Sequence, residues 1–232
     1  MAKKALVTGA SSGIGKEISR TLIDCGYSVY GIGRTFDSDF DSNSMFHPIN
    51  LDLLSPMLEK SIKELTGTHD FDLLVNNAGV GYYGLHEELN ADKIKTMVRT
   101  NLETPMIITN IMLRDLKNNN GRIINVASVT AVESNPHGAA YGATKAGLLS
   151  FASSLFDEAR KYGVKVTTIL PDMTDTKLYR NADFTVSDDR MAYLNPKDIA
   201  DCVRFVIECP DNQVISELTV KPQLKKIQRK KI

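Results

Sequence analysis

The sequence contains no tryptophan, and phenylalanine and tyrosine together supply only 7% of its residues. Cysteine is also scarce. Cys25, Cys202 and Cys209 are an odd number with no C-x-x-C pair, which excludes a disulfide framework and a dithiol redox motif and leaves them as small apolar residues. The four histidines, His47, His69, His86 and His137, show no metal-ligand spacing, so no metal site is expected. No stretch reaches the ~20 consecutive apolar residues of a spanning helix. Near the start, Lys3-Lys4 is followed by only Ala5-Leu6-Val7 before Thr8-Gly9, too short for the apolar part of a signal peptide. A cytoplasmic protein without a membrane span is expected.

Net charge is missing as well, with 28 basic and 28 acidic side chains. The balance is uneven along the chain. Lys221, Lys225, Lys226, Arg229, Lys230 and Lys231 place six positive charges and no negative one in the last twelve residues. The preceding body is therefore acidic, unlike a nucleic-acid-binding domain, whose positive charge lines a folded face. Residues 221–232 read as a basic, solvated, flexible tail.

What is present is an ordinary globular composition, 42% apolar and 24% charged over 232 residues, enough for one large α/β domain. Short apolar runs alternate with longer helical patterns, as in a parallel sheet covered by helices. Strands are expected at 4–8, 27–32, 45–49, 72–75, 122–127, 164–170 and 215–220. Helices are expected at 13–25, 55–65, 91–116, 139–162 and 196–208, the last opened by Pro196 at its first turn. Asn118-Asn119-Asn120-Gly121 reads as a turn. Without repeat or linker, residues 1–220 form one doubly wound Rossmann-type domain with about seven parallel strands.

Thr8-Gly9-Ala10-Ser11-Ser12-Gly13-Ile14-Gly15 falls where the first strand hands over to the first helix. A dinucleotide pyrophosphate needs glycines there, because the backbone must turn tightly, approach phosphate without a Cβ, and open a helix whose amides face the anion. Taken alone, the segment also suits a plain Gly/Ser turn. Further along the chain, Asn76-Asn77-Ala78-Gly79 closes the fourth strand, and Asn101 lies in the following helix. Ser128 ends the fifth strand, and Tyr141-Gly142-Ala143-Thr144-Lys145 opens the next helix. In this order and spacing, over about residues 3–220, the chain resembles the short-chain dehydrogenase/reductase family.

Tyr141 and Lys145 are four residues apart on a helix and share a face. By itself such a pair is more often a core-edge ring and a solvated ammonium. An ammonium beside a phenol favours the phenolate and draws its titration from ~10 toward neutrality. The resemblance implies Tyr141 as general acid/base, Lys145 as its ammonium partner and a hold on the nicotinamide ribose, and Ser128 as the group orienting the substrate oxygen. It also implies Asn101 as holder of a water in a proton relay to Lys145. Cofactor contacts are expected from Gly9, Ser11, Ser12, Gly13, Ile14 and Gly15, from Asp52 and Leu53 near the adenine, and from Asn77 on the adenosine ribose side. Thr174 and Thr176 would meet the carboxamide.

After the second strand, Gly33 falls where NAD-preferring members carry an acid and Arg34 follows, the pattern that accommodates a 2′-phosphate. NADP(H) is expected over NAD(H), with Asp37 too late to replace the missing acid. Pro171-Asp172 stands where the family has Pro-Gly, a departure that could alter the turn beside the nicotinamide, although Asp tolerates turns. Residues 173–195 should cover a small carbonyl or alcohol substrate, with Leu178, Tyr179, Phe184, Met191 and Tyr193 as apolar lid and Arg180, Asp183, Asp188, Asp189 and Arg190 solvated. Tyr82, Tyr83, His86 and His137 are further pocket candidates. A homodimer or homotetramer is implied by the resemblance. Two alternatives stay open: a dinucleotide-binding regulator without turnover, and an NAD-preferring dehydrogenase.

Overall fold

The computed structural model describes residues 2–36 and 43–230; Asp37 and Lys231 lie outside the described residues. Strand β1 (Lys4–Thr8) leads to helix α1 (Gly13–Asp24), β2 (Ser28–Gly33) and β3 (Phe46–Asn50). Helix α2 (Leu58–Thr68) and β4 (Leu73–Asn76) follow, then α3 (Ala91–Val98), α4 (Thr104–Asn118) and β5 (Arg122–Val126). The second half holds α5 (Ala139–Ala159), β6 (Lys165–Pro171), β7 (Phe184–Val186), α6 (Pro196–Ile207), β8 (Glu217–Val220) and β9 (Ile227–Arg229). Seven strands form one parallel sheet in the order β3-β2-β1-β4-β5-β6-β8, as the alternating pattern predicts.

The sheet is buried on both faces, which is why its strands are almost continuously apolar. On one face Ala5, Val7, Leu73, Val75 and Ile124 pack with Ile18 and Leu22 of α1 and Ile199, Val203 and Val206 of α6. On the other, the alternate residues Leu6, Leu74 and Ile123 meet Ile62 of α2, Ile108, Met112 and Leu116 of α4, and Leu155 of α5. Alternation with period two therefore assigns neighbouring residues of one strand to different helix layers. The chain winds outward from β1 to β3 and returns to β4 beside β1. That reversal opens a crevice at the carboxyl ends of β1 and β4, where open α/β sheets bind ligands.

The expected single helix over 91–116 is interrupted. Residues Arg99–Glu103 form a π-turn in which the Thr104 N–H bonds to the Arg99 carbonyl, five residues back. Pro105 supplies the reason: it has no N–H to give to the carbonyl of Asn101, so the ordinary ladder cannot run through this point.

Residues 221–230 are not a free tail. Lys221 pairs with Glu133, Lys226 Nζ lies 2.8 Å from Asp189 Oδ2, and β9 pairs antiparallel with β7, Ile227 opposite Val186 and Arg229 opposite Phe184. The basic residues find acids and open backbone groups on residues 173–195, a long-range match that local composition does not reveal.

Candidate active site

A cleft of about 330 Å³ runs along the carboxyl ends of the strands. Its phosphate-loop end is built by Gly9 and Gly13, at φ 68° and 55°, left-handed values that cost an L side chain about 1–2 kcal/mol. Helix α1 starts there, after Ser12, with no acidic residue in its first turn. Its amide groups and positive dipole end have no built-in counter-charge, which suits a phosphate. Ser11, Ser12 and Ile14 line the same wall. Gly15 does not. A Cβ at Gly15 would lie 2.2 Å from the Gly9 carbonyl oxygen and 2.4 Å from Asn77 Nδ2, so this glycine lets α1 lie against the loop.

Asn77 lines the cleft but its amide also has structural work. Nδ2 donates to the Thr8 carbonyl at 2.9 Å, while the N–H groups of Asn77 and Ala78 donate to Thr8 Oγ1 at 3.0 and 3.1 Å. These bonds tie β4 to β1 across the crevice. At the far end Asp52 and Leu53 line the wall, and Asp52 Oδ1 accepts the Leu54 N–H at 2.9 Å, closing the turn after β3. Arg34 is exposed and faces the cleft beside Ser11. A Cβ on Gly33 would come within 2.8 Å of Ser11 Cβ and 2.9 Å of the Phe36 ring. An acidic side chain has no room at position 33 in this packing.

Ser128, Tyr141 and Lys145 meet at the cleft's inner end, and all three are buried. The Ser128 side chain lies close enough to the Tyr141 phenol to oppose its upward shift. Lys145 Nζ donates to the Val126 carbonyl at 2.9 Å and lies 5.8 Å from the centre of the Tyr141 ring. The electrostatics differ from the sequence expectation. Burial pushes the Tyr141 phenol up, Tyr179 pushes the same way, and only the Ser128 side chain opposes them. Burial also draws Lys145 down to about 8. In this buried pocket loss of solvation dominates both shifts, and Tyr141 is held in its protonated form.

Asn101 is fully buried but does not line the cleft. Its Oδ1 accepts the Val80 N–H at 2.9 Å, and Nδ2 donates to the Val80 carbonyl at 2.9 Å and to Thr144 Oγ1 at 3.0 Å. The side chain clips the π-turn to the chain after β4 and to α5. Thr144 completes this clip by donating to the Tyr141 carbonyl at 2.7 Å; it went unnoticed in the sequence, although it stands one turn from Tyr141. Asn101 Oδ1 and Lys145 Nζ would lie 3.6 and 3.5 Å from a Cβ on Gly79, so both border the space that this glycine leaves open.

The segment after β6 covers the cleft. Asp172 causes no left-handed turn: its Oδ1 accepts the Met173 N–H at 2.8 Å, and its own N–H donates to Val220. Thr174 Oγ1 donates to the Asp172 carbonyl, and Thr176 Oγ1 accepts the Leu178 N–H, opening a short turn over Lys177–Asn181. The Thr176 methyl would be 3.4 Å from a Cβ on Gly13, so the lid closes onto the phosphate loop. Leu178, Tyr179 and Tyr82 line the cleft, as do Lys177 and Arg180. Arg180 borders the cleft while staying exposed, in keeping with the expectation that it is solvated. Tyr83 and Phe184 stand behind this wall, with ring centres 5.2 Å apart and Tyr83 5.6 Å from Tyr141. Met191 is more than half exposed, and His86 and His137 are not among the lining residues.

The short chain dehydrogenase family pattern matches residues 3–185. The chain belongs to this family. It is 32% identical over 230 residues to an uncharacterized oxidoreductase of Staphylococcus epidermidis, covering 95% of this chain and 97% of that one. It is also 32% identical over 220 residues to a 3-oxoacyl-[acyl-carrier-protein] reductase of Vibrio cholerae, covering 88% and 89%. An alcohol dehydrogenase from the archaeon Thermococcus sibiricus, solved with 5-hydroxy-NADP, superposes with a TM-score of 0.84 at 26% identity over 99% of each chain. The protein is thus an oxidoreductase of the short-chain dehydrogenase family, and a nicotinamide dinucleotide fits the glycine cradle and the open end of α1. No helix among the described residues is long and apolar enough to cross a membrane, and they hold no metal-ligand cluster.

Proposed function

We propose that this short-chain dehydrogenase interconverts carbonyl compounds and alcohols with NADP(H). The observation that carries the reading is the meeting of buried Tyr141, Ser128 and Lys145 in the same cleft as the Gly9–Gly13 cradle. When bound, the cofactor supplies or accepts the hydride. Gly9, Ser11, Ser12, Gly13 and Ile14 would hold its phosphates, Asp52, Leu53 and Asn77 its adenosine side, and Thr174 and Thr176 its carboxamide. Arg34 beside Ser11 would meet a 2′-phosphate. The absence of room for an acid at Gly33 supports NADP(H) over NAD(H).

Reduction needs a proton at the developing alkoxide, from a donor within hydrogen-bond reach. Tyr141, held protonated by burial, fills that role, and Ser128 Oγ orients the same oxygen. Lys145, drawn down to about 8, steadies the phenolate as the proton leaves and can return one. Asn101 and Lys145, bordering the space at Gly79, would hold the water that carries the proton onward. Exposed Val98 and Met106 on α3 and α4 are the faces we assign to self-association as dimer or tetramer.

The test is NADPH consumption over a panel of ketones and aldehydes with wild type and Tyr141→Phe. Loss of a general acid should cut turnover by about 10²–10⁴-fold while NADPH still binds. Turnover retained in the variant would refute the assignment of Tyr141.

A further inference from the structure

The lysine-rich C-terminal segment touches the lid from Leu224 to Lys230. The Leu224 N–H donates to the Met191 carbonyl at 2.9 Å, Lys226 pairs with Asp189, and β9 forms a ladder with β7. At its end the Lys230 N–H donates to the Asp183 carbonyl at 2.8 Å, and Lys230 Nζ donates to the carbonyls of Tyr179 at 2.7 Å and Arg180 at 3.4 Å. An ammonium thus sits at the carboxyl end of the short turn Lys177–Asn181, on the Arg180 carbonyl and on the Tyr179 carbonyl that also accepts the Ala182 N–H at 3.1 Å, an end of a turn that favours a cation. Lys221 anchors the other end of the segment to Glu133, five residues beyond Ser128.

These contacts reach the reacting end of the cleft through two routes. Tyr179 lines the cleft and is held by its carbonyl, which accepts from Lys230 Nζ. Phe184 of β7 lies with its ring centre 5.4 Å from that of Tyr179 and 5.2 Å from that of Tyr83, which in turn is 5.6 Å from Tyr141. The lid rings Tyr179 and Phe184 and the Tyr83 ring thus form one apolar cluster that reaches Tyr141. Without β9, the three-residue strand β7 would lose its only ladder partner among the described residues, and a strand that short does not hold its place alone.

We propose that residues 221–230 are a strap that holds the substrate lid over Tyr141, with Lys230 as the positioning residue for Tyr179, so that substrate selection depends on the C-terminal segment. The proposal rests on reading the cleft as the site of carbonyl reduction. On the lid the strap contacts fall at residues 179–191; the phosphate cradle on β1, α1, β2 and β4 is untouched, and the lid residues assigned to the cofactor, Thr174 and Thr176, lie outside the strapped stretch. Removing it should weaken substrate binding and leave the cofactor in place.

The experiment compares wild type with Lys230→Met, which keeps the aliphatic stem, and with a chain ending at Val220, which keeps all seven strands of the parallel sheet. Hydrogen exchange is followed without cofactor, then NADPH affinity, kcat and KM over the carbonyl panel. Exchange at 177–189 should rise about tenfold on truncation and several-fold in Lys230→Met, with β5 unchanged, as expected of local opening. KM should rise about tenfold on truncation with NADPH affinity within about twofold, the pattern of lost substrate binding. Unchanged lid exchange in both variants overturns the strap, as does NADPH affinity falling in step with KM. If wild type binds NADPH but reduces no carbonyl compound, the reading of the site fails separately, and lid exchange still decides the strap. Should the truncated chain not fold, Lys230→Met alone decides it by the same exchange.

Discussion

Replacing Asn101 by alanine should destabilise the whole domain, and the size of the loss follows from its hydrogen bonds. The side chain is hydrogen-bonded to both backbone polar groups of Val80 and to the Thr144 hydroxyl. A buried backbone group left without a partner costs about 1–3 kcal/mol. Two such groups, with a smaller contribution from Thr144, whose hydroxyl keeps its bond to the Tyr141 carbonyl, give about 3–5 kcal/mol. That is a large share of the about 5–15 kcal/mol that holds a domain folded. At about 2–4 °C per kcal/mol for a chain of this size, the midpoint should drop by about 6–20 °C. Thr144→Val removes one of the three Asn101 bonds together with the Thr144 bond to the Tyr141 carbonyl, and should cost about 1–3 kcal/mol. Thermal and urea unfolding followed by circular dichroism measure both. If Asn101→Ala unfolds within about 1 kcal/mol of wild type, the clip does not hold the π-turn in place, and the argument from its hydrogen bonds is wrong.

Arg34→Ala should weaken NADPH binding by about 10–100-fold, the worth of a charge-assisted bond to phosphate at about 1.5–3 kcal/mol, and leave NADH nearly unaffected. Fluorescence titration with both cofactors checks this, and equal weakening of the two would remove Arg34 from the 2′-phosphate site. Gly15→Ala should cost about 3 kcal/mol or more, because its Cβ would meet a backbone oxygen at 2.2 Å in a packed interior. Urea midpoints measure that loss, and a variant as stable as wild type would show that α1 can move off the loop.

The parallel sheet and its helices are legible in the sequence because each is signalled locally. Runs such as Ala5-Leu6-Val7 and Leu73-Leu74-Val75 are buried on both faces, and their apolar continuity needs no knowledge of partners. The site residues are legible for the same reason: Gly9, Gly13, Ser128 and Tyr141 stand at strand ends and helix starts that the pattern already locates. What the sequence conceals depends on distant partners or on the medium. The β7–β9 ladder joins Val186 to Ile227, and neither flank carries a strand signal strong enough to stand alone. The π-turn had a local signal in Pro105, whose missing N–H breaks the helix at Asn101. Gly15 was assigned to the cofactor by its place in the loop, yet its reason is contact with Gly9 and Asn77.

The largest departure concerns the Tyr141–Lys145 pair, and it has a kinetic consequence. Spacing on a helix suggests mutual stabilisation of charge, but that presumes solvent to support the charges. In the closed cleft burial opposes both, raising the phenol and drawing the ammonium down to about 8. Proton delivery requires Tyr141 protonated and Lys145 positively charged, and above pH 8 the free protein loses the second condition first. In the direction of carbonyl reduction, kcat/KM, which reports groups of the free enzyme, should fall above pH about 8, approaching tenfold per pH unit. The same shift is a stability statement. Between the folded value near 8 and the ordinary lysine value near 10.4, the unfolded chain binds more protons, so stability rises with pH across that window. The burial penalty stands in full below pH 8 and is relieved above it. Wild type should therefore gain on Lys145→Met in urea unfolding as pH climbs from 8 toward 10. An alkaline fall in kcat/KM beginning only near 10, with no relative gain in stability, would show that Lys145 keeps its ordinary affinity for the proton. The pair would then act as the spacing alone suggests.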